Sequence, residues 1–145
     1  MAGTVTATTS SRKGRGTIRV DVDLLVTSST TIAAASIGSF FGRIVGVIID
    51  PVAGAGTTMD TAADILLTDA ASGASIVADL SVGGAAALYR PTQVIATNAG
   101  VAVTAAATAT DVNRDIFVAG KLNVAVANAV NGDSARLTLF IEEAA

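Results

Sequence analysis

Apolar and polar residues alternate most strictly over Thr17–Val26, where Ile18, Val20, Val22, Leu24 and Val26 fall on one face and Arg19, Asp21 and Asp23 on the other. A period of two predicts a half-buried strand of an antiparallel sheet. The pattern returns near the C-terminus. Leu122, Val124 and Val126 share a face, and Ile116-Phe117-Val118 leads into them through Gly120, a predicted bulge. Leu137, Leu139 and Ile141 share another face, opposite Arg136, Thr138 and Phe140. Asn131-Gly132-Asp133 predicts the turn between these two runs, so the last third reads as a C-terminal hairpin.

The central run Gly42-Arg43-Ile44-Val45-Gly46-Val47-Ile48-Ile49-Asp50-Pro51 is apolar on both faces. Strict alternation would put Ile44 and Ile48 on one side and Val45, Val47 and Ile49 on the other. Asp-Pro closes it, because proline cannot continue a central ladder. A strand apolar on both sides needs two covers, either a second sheet and a loop or a partner molecule. Before it, residues 32–41 mix small residues with Ile37, Phe40 and Phe41 and show no clear period; a short helical turn, a strand or a packed loop each fit, and irregular structure feeding the strand is the preferred reading. Phe40 and Phe41 are adjacent, so on a strand one points inward and the other outward. An outward phenylalanine would be an interface anchor.

Two apolar runs, residues 64–69 and 74–80, flank Ala70-Ala71-Ser72-Gly73 and predict a hairpin with Gly73 at positive φ. A helix capped by Asp60 is the weaker competitor, since the run is short. Residues 93–96 and 101–105 predict a further pair of short strands. Residues 81–91 contain Gly83-Gly84 and end in Leu88-Tyr89-Arg90-Pro91, a predicted surface loop. Tyr89 and Arg90 are of the types enriched at interface hot spots, though a tyrosine buried with its hydroxyl satisfied fits equally well. About eight short strands with Gly-rich turns predict an all-β fold, an antiparallel β-sandwich or jelly roll, in one domain over residues 17–145. Residues 1–16, rich in Thr, Ser and Gly, read as a flexible N-terminal arm. Its Arg12, Lys13 and Arg15 make a basic patch, either solvated or ordered on an acidic partner.

Composition narrows the chemistry. The 145 residues are long enough to bury a core unaided. With no histidine and no cysteine, disulfides, Cys/His metal sites and His-dependent triads are excluded. The net charge is −3, which argues against a nucleic-acid-binding face. Mean hydropathy is +0.63, high for a free monomer, and points to apolar surface covered by association. No leader or spanning segment is visible, so a soluble chain with no membrane partner is expected. Gly54-Ala55-Gly56 fails as a dinucleotide loop because Met59 stands where the third glycine belongs. Asp60, Asp64, Asp111 and Asp115 could supply a carboxylate pair, but five aromatic residues are too few for the usual sugar cleft. Asp111-Val112-Asn113-Arg114-Asp115 begins like a calcium loop, then has Ile116 in place of glycine and Leu122 in place of glutamate. No enzyme activity, metal or cofactor is expected.

Taken together, the strand from Gly42 to Pro51, the hairpin over residues 65–76, residues 88–91 and the ending Arg136-Leu137-Thr138-Leu139-Phe140-Ile141-Glu142 resemble the small jelly-roll cement or decoration proteins of tailed-bacteriophage heads. The resemblance covers residues 17–143, and the Ala/Thr/Gly-rich, Cys-free, aromatic-poor composition shares it. It implies a virion protein on the outer surface of an assembled capsid, bridging neighbouring major capsid proteins and itself a homodimer or homotrimer. Interface candidates are Arg12, Lys13, Arg15, Phe40, Phe41, Tyr89 and Arg90. A tail or connector protein, or a tail-associated receptor- or carbohydrate-binding module, is the alternative.

Overall fold

The computed structural model describes residues 3–11, 16–27, 29–52, 56–73, 75–82, 86–89, 92–94, 104–105, 110–111 and 113–143. The described residues are all-β. In chain order the strands are β1 (Gly3–Ser11), β2 (Thr17–Val26), β3 (Ile32–Asp50), β4 (Thr57–Thr58), β5 (Asp64–Asp69), β6 (Ser75–Ser81), β7 (Ala87–Tyr89), β8 (Thr92–Val94), β9 (Thr104–Ala105), β10 (Thr110–Asp111), β11 (Asn113–Ala127) and β12 (Asp133–Glu143). The main sheet runs β1-β2-β12-β3-β11-β5-β6, all antiparallel, and β9 pairs with β10 apart from it. It curls as a half-barrel around one core, so strands from both flanks bury their inner faces together.

The alternation of β2 holds throughout: Ile18, Val20, Val22, Leu24 and Val26 are buried. Leu137, Leu139 and Ile141 on β12 and Leu122, Val124 and Val126 on β11 join them as expected. The predicted hairpin is β5–β6, closed by Gly73 at φ +73°. In its turn the Asp69 carboxylate accepts hydrogen bonds from the Ser72 N–H and hydroxyl.

β3 departs from expectation, and its pairing explains why. Residues 32–44 are strand paired with β11, and residues 42–50 pair with β12. The strand therefore serves two ladders and must bend between them. It does so through bulges: Ile37 is extra against Leu122/Asn123, a further residue is extra between Ala35 and Ile32, and Val45 is extra against Phe140/Ile141. Each bulge flips the phase of the side chains that follow it. As a result Ile32, Ile37, Phe40, Ile44, Val47 and Ile49 are all buried, although their spacings mix odd and even steps. Val45 and Ile48 are half-buried on the outer face, so the partition expected from strict alternation is corrected at Val45. The predicted bulge at Gly120 is corrected too: the ladder passes through it, opposite Phe40, without a shift, and the bulge lies on β3 at Ile37, against Leu122/Asn123 and next to Gly38 at φ +128°.

The C-terminal hairpin is also corrected. The turn at residues 131–132 is present, but β11 and β12 lie on either side of β3 and do not pair with each other. The connection is an arch from one flank of the sheet to the other. Asp133, buried at its end, fastens it: its carboxylate accepts from the backbone N–H of Asp60 at 3.0 Å and of Val130 at 2.9 Å. The N–H of Asp60 thus belongs to this arch, and β5 follows with no helix before it.

Three further expectations shift. Gly3–Ser11, assigned to a loose arm, is a strand paired residue for residue with β2. Residues 88 and 89 belong to β7, which pairs with β3. The strand at residues 92–94 pairs with the start of β11, and residues 104–105 pair with β10. Val52 N–H donates to the Asp50 carboxylate at 3.0 Å, so the predicted Asp-Pro stop is real.

Gly42 sits where β3, β11 and β12 converge, and a Cβ there would fall on the Glu142 carbonyl oxygen. At Gly46 a Cβ would meet only side chains of Leu88 and Phe140 at 3.5 Å. Gly42→Ala should cost about 1–3 kcal/mol in urea unfolding, because backbone must move, whereas Gly46→Ala should change stability by well under that. Equal costs would contradict this account of the junction.

Candidate interaction surface

The outer face of the sheet carries the groups with functional potential. Its charged rows come from the outward positions of β2, β3 and β12, and cross-strand register sets each partner. Arg43 lies opposite Glu142, and Arg136 opposite Asp23. The Arg43 guanidinium donates to the Glu142 carboxylate at 2.9 Å, Arg136 Nε to Asp23 at 2.8 Å, and Arg19 Nε to Asp21 at 3.1 Å. These pairs are half-exposed, so solvent screening leaves each only a small contribution to stability. Their larger effect is on the field: with Asp50 opposite Arg136 and Lys121 exposed on β11, four cations stand against four carboxylates, which leaves this part of the face close to neutral on an acidic chain.

Within the face, Thr138 is buried and its hydroxyl donates to the Asp21 carboxylate at 2.7 Å. Burial works to raise the Asp21 pKa, but the hydrogen bonds from Thr138 and Arg19 and the charges of Arg19 and Arg136 outweigh it, and the carboxyl is held below its ordinary value. Arg19 also lies over the Phe140 ring, 5.9 Å from its centroid. Side chains in this region are therefore locked before any partner arrives.

Apolar groups rise from the same face. Register sets Phe41 opposite Ala119 and Phe117 opposite Arg43, so the two phenylalanines are diagonal neighbours. Their rings meet edge to face, centroids 5.2 Å apart at 87°. Phe41 is 57% exposed and Phe117 51%. Leu88 on β7 is 70% exposed, and its side chain and that of Phe140 flank Gly46, where no side chain rises between them. Clustered apolar side chains of this size left in water on a rigid sheet have the chemistry of docking anchors.

No family model, curated protein or solved structure matches this chain. The surface must therefore be read from its own residues.

Of the two adjacent phenylalanines, Phe40 is buried and Phe41 exposed, the inward and outward pair that alternation predicts. Phe40 thus serves the core, and Phe41 remains as the anchor. Arg12, Lys13, Arg15 and Arg90 lie outside the described residues, and of Tyr89 only the backbone, paired with Val47, is described. Asp115, from the calcium-like run, is in the strand portion that pairs with β8. Among the described residues no group of three or more metal-ligating side chains converges, and no helix is long and apolar enough to cross a membrane. Sequence reasoning missed Phe117, and took Leu88 only as part of the surface loop at residues 88–91. The signal for Phe117 was present, since Ile116 and Val118 take the inner face and leave it the outer one.

Thr138→Val tests the Asp21 pair through pH. A depressed carboxyl pKa adds stability in full above its ordinary value of 3.8 and loses it as pH falls through the lower folded value. The variant should be about 1 kcal/mol less stable than the parent at pH 7. The gap should shrink as pH drops below 3.8. Urea titrations at both pH values check this; a gap independent of pH would contradict it.

Proposed function

We propose that this protein is a non-enzymatic structural protein of a virion, a capsid decoration protein that binds the outer surface of an assembled tailed-phage head and bridges neighbouring major capsid proteins. The observation that carries the reading is the exposed Phe41–Phe117 pair, set with Leu88 on a rigid sheet face whose charges are already neutralised by one another. A composition without histidine or cysteine, together with the likeness to phage decoration proteins over residues 17–143, supports it from the sequence side.

The mechanism is linkage. A protein that binds the assembled shell and not its free subunits stabilises the shell as a ligand stabilises a fold. Copies on a symmetric lattice add by avidity, so modest anchors suffice at each site. In this reading the phenylalanine face docks on the major capsid protein, while Arg12, Lys13, Arg15, Tyr89 and Arg90 supply auxiliary contacts, and copies associate as a homodimer or homotrimer. Neither nucleic acid nor membrane is a partner.

Neutrality makes the reading testable by salt. Docking through the phenylalanine face is apolar, so raising ionic strength should leave it nearly unchanged, whereas capture by the basic residues alone would be screened. The protein should co-sediment with complete heads and not with free capsid subunits, at low and high salt alike. Phe41→Ser with Phe117→Ser should keep the fold, because both rings are exposed, and weaken shell binding by more than about tenfold, as expected for loss of two aromatic anchors. Binding that disappears at high salt, or survives the double substitution, would overturn this assignment of the face. A ring-shaped particle that ignores heads would point to the tail instead.

A further inference from the structure

The two edges of the main sheet differ in a way that matters for association. β6 carries Asp79 within the strand, and its pairing with β5 shifts register twice. A charge and an irregular ladder are the usual means of blunting an edge. β1 has neither. Its sequence, Gly-Thr-Val-Thr-Ala-Thr-Thr-Ser-Ser, holds no charge and no proline, and all nine residues pair with β2 in unbroken register. The ladder to β2 is the one β1 makes among the described residues, which leaves every second N–H and C=O of its other side facing outward. An unbulged, uncharged edge rich in β-branched residues is a template for a further strand.

We propose that β1 pairs with β1 of a second copy of this chain, antiparallel about a two-fold axis, to make one sheet continuous through two molecules. The Gly3 end abuts the start of β3, where a Cβ would meet Ile32, so the free edge runs from Val5 to Ser11 and the axis falls at Thr8. The occupant is a second copy for reasons of charge and symmetry. Each chain carries −3, and β1 lets two such chains meet along a strand without a single carboxylate. A two-fold pairing also needs one self-complementary surface only. Thr6 and Thr8 are exposed on one face of β1, and Thr8 would meet its own copy across the axis as a Thr–Thr cross-strand pair, while Val5 is already packed on the core beneath. This deepens the decoration reading, on which it rests for the use of the dimer and not for its existence.

The chain has no cysteine, so single cysteines report the contact without interference. Thr6→Cys, Thr8→Cys, Ser10→Cys and, as a control on the other edge, Ser75→Cys would be oxidised mildly, with the mass of the free parent protein measured by light scattering. The expected result is a dimer in the parent and a disulfide strongest at Thr8, since only a residue on the axis faces its own copy at bridging distance. Thr6→Lys with Thr8→Lys should raise the dimer dissociation constant more than about tenfold, through like charges across the axis, with the circular dichroism spectrum unchanged. A parent that stays monomeric, a cross-link at Ser75 in place of Thr8, or a lysine variant that dimerises as before would each overturn the pairing. Shell co-sedimentation is scored separately. A dimer linked at Thr8 that ignores heads keeps the pairing and overturns decoration, whereas a monomer that pellets with heads does the reverse.

Discussion

One strand has to satisfy two ladders, and the rest of the fold follows from how it does so. β3 is nineteen residues long; its first half hydrogen-bonds to β11 and its second to β12, with the overlap near Gly42. A flat strand of that length could not serve both flanks of a curled sheet. Strands that turn a corner between layers do so with bulges, and β3 uses them at each stage of its path. Each bulge costs a ladder position but returns an apolar side chain to the core, so Ile32, Ile37, Phe40, Ile44, Val47 and Ile49 form a continuous buried line. The close approach at Gly42 marks the point where the three strands meet, which is why a side chain as small as a methyl does not fit there.

Placing β3 in the middle forces β11 and β12 apart, and the arch between them needs its own fastening. The buried Asp133 supplies it by accepting from the backbone N–H groups of Asp60 and Val130, one on each side of the arch. The same arrangement fixes the outer face. With β3 between β11 and β12, Phe41, Phe117, Arg43 and Glu142 become neighbours although they come from distant parts of the chain. The candidate interaction surface is therefore a product of topology: the pairing of β3 with β11 is what brings Phe41 beside Phe117.

These elements were not equally legible in the sequence. Where a strand alternates without interruption, as in β2, β12 and the core-facing half of β11, the period of two named both the strand and its buried face. The β5–β6 hairpin was legible because Gly73 stands where the turn requires positive φ. Residues 32–41 were not, because their bulges break the period that identifies a strand, and Val45 reversed the faces of the central run for the same reason. The turn at Asn131-Gly132 was found, but turn chemistry says nothing of which strand lies next to which, so the arch read as a hairpin. β1 was missed because threonine and serine resemble a loose terminus in composition, whereas threonine is also a good strand former. Of the interaction surface, Phe41 was legible from its adjacency to Phe40; Phe117 and Leu88 needed the register of β11 and β7 on β3.

The account turns on a preformed, neutral, aromatic-bearing face acting on an assembled lattice. Linkage requires that such a ligand raise the stability of the assembly it binds, and this is the property to measure. Heads lacking the protein would be heated in a scanning calorimeter with increasing amounts of it added. The account predicts that the disassembly transition moves upward, saturates once the lattice sites are filled, and shifts equally at low and high salt. A transition that stays in place at saturating protein would contradict it.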